Sequence, residues 1–257
     1  TGSITLSHSG TITGSGFGLT LGGSSGGSIA SIIGTVAGTL TKSGTGTWTL
    51  SGANTYTGGT TISAGTLTSG SATAFGTGTI TVSSGAALDL NGQTMTSTGG
   101  LTLNGTGISS GGALLNSSAT GGTYAGLVTL GSAASIMGGT GSITLSHSGT
   151  ITGSGFGLTL GGSSGGSIAS IIGTGAGTLT KSGTGTWTLS GVNTYTGGST
   201  INGGTLALSG SGSIASSSGV TTSGSGVFSI TGASSDVTIT SLTGSSTATT
   251  GVVLGAR

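Results

Sequence analysis

Residues 1–62 return at 140–201 without a gap, and three positions differ: Val36 against Gly175, Ala53 against Val192, and Thr60 against Ser199. Near-identity over that length requires both copies to take up the same local structure. The fold must therefore be one that can grow by repetition. The offset of 139 residues divides the chain into a first superrepeat unit, 1–139, and a second, partial unit, 140–257. Residues 68–139 have no close counterpart in 207–257, so the units diverge after the shared block.

Within a unit the rhythm is much shorter. Ser3–Ser7, Phe17–Leu21, Ile29–Ile33, Thr47–Ser51, Thr79–Ser83, Ala87–Asn91, Leu127–Leu130, Val227–Thr231 and Val237–Thr240 read as strands. Most alternate apolar residues with Thr or Ser, the period-two pattern of a strand with one buried face. Clusters of Gly, Ser and Asn separate them and supply turns. No segment sustains a 3.6-residue period, and the 62 glycines penalise helix by about 1 kcal/mol each. A sandwich or barrel closes once, whereas a solenoid adds coils, each burying its apolar side chains against the next. The pattern predicts an all-β, parallel β-solenoid with three short strands per coil. Coils of roughly 20–27 residues would number about ten and make a rod on the order of 50 Å long. The units 1–139 and 140–257 would be parts of that one continuous solenoid.

Composition narrows the function. The charged side chains are Lys42, Lys181, Arg257, Asp89 and Asp236, and the chain has no Cys, Glu or Pro. Three cations cannot neutralise a nucleic-acid backbone or make a polybasic membrane patch. Disorder by composition needs low hydropathy and high net charge; here mean hydropathy is +0.40 and net charge +1. No apolar run approaches the ~18 residues of a spanning helix, so membrane insertion by this segment is not expected. Thr1–Gly10 lacks the basic and apolar regions of an export signal. Absence of Cys suits an extracellular location. Nearly uncharged surfaces associate, and a cut solenoid leaves open strand edges. The expected partners are copies of the chain itself or neighbouring repeats, joined end to end.

No catalytic, cofactor-binding or metal site is expected, and no cofactor. Gly22–Gly26 and Gly161–Gly165 match GxSxG, but the nucleophile elbow needs a following helix and acid and His partners. Lys42-Ser43 follows Thr41 rather than a glycine-rich loop, so it is no phosphate cradle. His8 and His147 occupy equivalent SHSG turns with too few further ligands for a metal. Two Asp and no Glu leave no carboxylate pair for glycoside hydrolysis. Trp48, Trp187, Tyr56 and Tyr195 read as core-filling aromatics. Asn54, Asn193, Asn91, Asn104 and Asn116 read as structural turn residues, the last two within glycosylation sequons.

One stretch carries a family resemblance. Gly38–Leu67, GTLTKSGTGTWTLSGANTYTGGTTISAGTL, and its copy Gly177–Leu206 resemble the autotransporter-associated β-strand repeat of bacterial passenger regions. The stretches GGLTLNGTGISSGGALLN and VTLGSAASI look like the arrays in which that repeat occurs. The resemblance implies a right-handed parallel β-helix, secreted and held at or released from an outer membrane, with no catalytic set. The expected function is a non-enzymatic extracellular stalk, adhesin or filament subunit, assembling through its strand edges. The alternative is an ice- or carbohydrate-binding solenoid, with surface glycans as partners. It would use Thr-x-Thr rows such as Thr39–Thr41, Thr47–Thr49 and Thr79–Thr81.

Overall fold

The computed structural model describes residues 2–96, 99–247 and 251–254; Arg257 lies outside them. Those residues form a parallel β-solenoid of about twelve coils, and its one helical element is a 3-10 turn, Ile108–Ser110. Every pairing between strands is parallel and joins one coil to the next. The first ladder runs through Ile4–Leu6, Gly27–Ile29, Thr47–Leu50, Gly65–Ser69, Ala86–Asp89 and Leu114–Asn116. It continues through the second half of Val128–Gly138, then Leu158–Gly161, Leu179–Lys181, Ser199–Ile201, Val220–Gly224 and Leu242–Ser246. The second ladder runs from Leu19–Leu21 through Leu40–Lys42, Thr60–Ile62, Ile80–Val82 and Leu101–Gly105 to the first half of Val128–Gly138. It goes on to Thr150–Thr152 and Ile171–Gly173. The third begins at Thr94–Met95 and passes through Gly122–Tyr124, Ile143–Leu145, Gly165–Ile168 and Thr186–Leu189 to Val252–Val253.

Alternation along these short strands decides what faces the axis. In the second ladder Leu21, Lys42, Ile62, Val82, Leu103 and Leu130 stack in register, all within 4% of full burial. Leu67, Leu88, Leu114, Ile136 and Leu160 make the matching stack in the first ladder. Trp48 lies opposite Gly27 and Trp187 opposite Gly166. A Cβ on either glycine would stand 2.1 Å from a carbonyl oxygen of the preceding coil, Ile4 O or Ile143 O, and 3.0 Å from the indole ring, so both the coil spacing and the tryptophan need the missing side chain. The aromatics expected inside are inside: Trp48, Trp187, Tyr56 and Tyr195 are all buried.

Four expectations need correction. There are about twelve coils rather than ten, because many corners turn within a few Gly-rich residues. Leu67 lies opposite Trp48, 19 residues on, although Thr123 lies 29 residues after its partner Thr94. Second, three strands per coil is not general: residues 51–59 and 71–79 pass from the first ladder to the second without a strand between. Third, Ile29–Ile33 is two strands, Gly27–Ile29 and Ile32–Gly34. The buried Ser31 sits at the corner between them, its Oγ donating to His8 O at 2.6 Å. Val237–Thr240 forms no strand, although Val237 and Ile239 still pack on the core.

The 139-residue repeat is not a whole number of coils. Ile4–Leu6 lies in the first ladder, but its copy Ile143–Leu145 lies in the third. Leu19–Leu21 lies in the second, and its copy Leu158–Gly161 in the first. One unit thus advances six coils and one further side, and the same sequence occupies a different side of the rod in each copy. The structure also accounts for the three differences between copies. Ala53 and Val192 are exposed. Thr60 and Ser199 keep a hydroxyl for the buried tyrosine four residues earlier, at 2.7 Å in both copies.

At the remaining difference, Val36 has φ 55° where Gly175 has φ 61°. The left-handed region costs an L-residue about 1–2 kcal/mol, and β-branching adds to the strain. Val36 is exposed and recovers little of that by burial. Val36→Gly is therefore expected to raise stability by about 1 kcal/mol, net of the greater flexibility of glycine in the unfolded chain. Gly175→Val should lower it. Denaturant midpoints of the two variants check both signs.

Candidate functional site

The most unusual chemistry is inside. Leu40-Thr41-Lys42 alternates, so Lys42 faces the axis beside Leu40 and is fully buried, as is Lys181. Among the described residues, neither ammonium meets a carboxylate. Lys42 Nζ donates to Ser43 O at 3.1 Å, Gly44 O at 2.8 Å and Ala64 O at 2.9 Å. Lys181 Nζ donates to Ser182 O at 2.7 Å, and to Gly183 O and Gly203 O at 2.9 Å. Each lysine thus spends its three donors on carbonyls of its own turn and of the next coil. The approach is close: Gly65 has φ 66°, and a Cβ there would stand 2.7 Å from Lys42 Nζ. Burial lowers the Lys42 ammonium below its ordinary pKa and lowers that of Lys181 to about 8. The cage clamps adjacent coils.

The other buried polar groups also join coils. Asn54 Oδ1 accepts from Ile33 N at 2.7 Å while Nδ2 donates to Ala74 O at 2.5 Å, spanning the coils on either side. Asn193 accepts from Ile172 N at 2.8 Å and donates to Ser213 O at 2.9 Å. Asn116 accepts from Gly92 N at 2.8 Å and donates to Ser142 O at 2.9 Å, so this sequon residue is engaged within the core. Asn91 and Asn104 donate to Ser69 O and Val82 O of the preceding coil. Asp89, also buried, accepts from Asn91 N, Ser117 N and Ser117 Oγ, the last at 2.6 Å. The structural role read for the asparagines holds.

The motifs weighed for catalysis are not brought together. Ser24 of the first GxSxG is exposed, and the strand Gly27–Ile29 follows it instead of a helix. Ser163 of the second donates to Gly139 O at 2.6 Å. His8 and His147 close their own turns, each Nδ1 accepting from the glycine N–H two residues on at 2.8 Å. Among the described residues no three His, Asp or Glu side chains cluster so as to hold a metal ion. No helix there is long and apolar enough to cross a membrane.

The outer surface is more ordered than the sequence suggested. Thr20, Thr41, Thr61, Thr81, Thr102, Thr129 and Thr152 stand in register along the second ladder. Thr159, Thr180, Thr200, Thr221 and Thr243 make the equivalent column along the first. The Thr-x-Thr motif supplies the central column only, since positions beside it alternate Thr39 and Thr79 with Gly18, Gly59 and Gly100. The two ends differ in kind from this surface. Ile4, Leu6 and Phe17 are 55%, 43% and 74% exposed at one end, and Leu242 and Leu254 are exposed at the other.

The family model of the passenger-associated-transport-repeat matches this chain twice, at residues 40–68 and 179–208. The matches fall on the stretches that carry the sequence resemblance, and each contains one buried-lysine turn, one core tryptophan and one core tyrosine. Neither the curated proteins nor the solved structures give a match to the chain.

Proposed function

We propose that this chain, a continuous solenoid carrying two passenger-associated transport repeats, is a segment of the secreted passenger region of a bacterial autotransporter-type protein. It works as a non-enzymatic rod at or beyond the outer-membrane surface. The observation that supports this most is the unbroken first ladder, which runs from Ile4 to Ser246 through both copies over one core. At ~4.8 Å per coil, about twelve coils give a stiff spacer of roughly 55 Å. The right-handed coil implied by the family belongs to the same reading. The polar interior serves length and stiffness, because Lys, Asn and Asp side chains tie successive coils.

End-to-end assembly through the strand edges extends this role to a filament, since each edge offers a row of backbone donors and acceptors. Negative-stain images at rising protein concentration test it. Particles should lengthen in multiples of roughly 55 Å; rods that stay single at every concentration would remove assembly and leave the spacer.

The threonine columns favour a second reading, a binding surface for ice or neutral glycans. Seven in-register hydroxyls, with the neighbouring Lys42 turned inward and buried, suit a regular, uncharged ligand. Thermal hysteresis and pull-down on insoluble neutral polysaccharide should show an effect that Thr61→Val with Thr81→Val reduces. A wild-type chain inactive in both assays removes this reading.

A further inference from the structure

The repeated block gives one sequence two environments within a single molecule. In the second copy, Ile143, Thr144 and Leu145 pair with Gly122, Thr123 and Tyr124 of the preceding coil. Thr152 pairs with Thr129, and Leu158–Gly161 pairs with Ala134–Met137. Under that cover Ile143 and Leu145 are 0% and 1% exposed. In the first copy the identical Ile4 and Leu6 are 55% and 43% exposed. Further bonds complete the covered junction: Ser146 N to Tyr124 O at 3.2 Å, Ala134 N to Gly157 O at 3.1 Å, and Ser163 Oγ to Gly139 O at 2.6 Å. The counterparts of the covered groups are Ser7, Gly18 and Ser24.

We propose that the edge formed by Ile4–Leu6, Thr11–Thr13 and Leu19–Leu21 is a docking face for one partner, a coil with the sequence of residues 122–139 from another copy of the repeat unit. It adds in parallel in the register used inside the chain. Gly122 meets Ile4, Tyr124 meets Leu6, Thr129 meets Thr13, and Ala134–Met137 meet Leu19–Gly22. Backbone pairing alone would accept any strand. What selects this coil is the apolar match, Tyr124 over Leu6 and Ile136 over Leu21, with the hydroxyl contact of Thr129 to Thr13 that Thr129 and Thr152 make at 3.4 Å. Because the unit advances six coils and one side, joining units this way carries the threonine column to a new side of the rod with each unit. The inference rests on the rod reading and adds the identity and register of what joins it.

The test places residues 111–139 directly ahead of Thr1 in the full chain, which recreates the sequence of the internal junction. Hydrogen exchange at Ile4–Leu6 and Leu19–Leu21 is followed, with Ile143–Leu145 and Leu158–Leu160 as the reference in the same molecule. Exchange in the first copy should slow about tenfold or more, toward the reference, and remain fast when the added residues are scrambled. A second extension, residues 86–139, supplies an additional supporting coil in case the shorter one does not fold. Equal protection by authentic and scrambled extensions, or none by either authentic length, overturns the proposal. If the unextended chain still forms filaments in that event, general edge-to-edge assembly survives and the specific coil does not.

Discussion

Lys181→Met is expected to lower the unfolding free energy by about 3 kcal/mol, although it replaces a charged core residue with an apolar one of similar length. Methionine fills the place of the lysine stem between Leu160 and Ile201, so little cavity results. What disappears is the ammonium holding Ser182 O, Gly183 O and Gly203 O. Hydrogen bonds from a charged donor contribute about 1.5–3 kcal/mol each, and a carbonyl left without its partner costs about 1–3 kcal/mol. Relief of the desolvated charge offsets part of this. No carboxylate is stranded, because none is paired with the lysine. Lys42→Met should behave alike, and the double variant should be near-additive, since the two cages are several coils apart. Guanidinium titrations give the magnitude, and hydrogen exchange at 182–185 and 203–205 shows whether the loss is local. A methionine variant as stable as the parent would mean that the burial cost cancels the three bonds.

The cage also shows where the sequence was legible and where it was not. The 139-residue repeat and the Thr-rich alternation pointed to an all-β solenoid, because a solenoid grows coil by coil whereas a sandwich or barrel closes once. The same alternation puts Lys42 on the side of Leu40, but its register with Leu21 and Ile62 is set by the coils. Nothing in the sequence shows how a buried ammonium is tolerated there; that needs the positions of three carbonyls from two coils. Ile29–Ile33 went wrong for a related reason. A corner at Ser31 lets Ile29 and Ile33 both face the axis from different sides, and a linear period cannot distinguish that from one strand. Alignment of Thr20 through Thr152 depends on corners of unequal length cancelling from coil to coil, which is a three-dimensional fact. The end edges were foreseen, but the contrast between Ile4 and Ile143 needed the packing of residues 122–139.

Alkaline pH is expected to be this rod's weakness, after a modest gain. Lys181 in the folded state is lowered to about 8, and Lys42 is lowered in the same direction, both by burial. Unfolded lysine titrates near 10.4. Between about 8 and that value the unfolded chain binds more protons than the folded one, so stability rises with pH. Tyrosine has the opposite sign. Burial raises the Tyr195 phenol to about 12 and raises Tyr56 and Tyr124 as well, whereas an unfolded phenol ionises near 10. Above about 10 the folded state therefore holds protons that the unfolded state releases, and stability falls. For Tyr195 alone the loss reaches about 2–3 kcal/mol by pH 12, and the other two buried tyrosines add to it. Melting temperature should rise gently from pH 8, turn over near pH 10 and drop steeply beyond. Lys181→Met should flatten the rising limb and leave the fall intact. Tyr195→Phe should make the fall shallower, at the cost of the bond to Ser199 at every pH. A profile flat to pH 12, in a chain whose circular dichroism remains that of the folded solenoid, would mean that the phenols ionise without unfolding and are not held in a closed core.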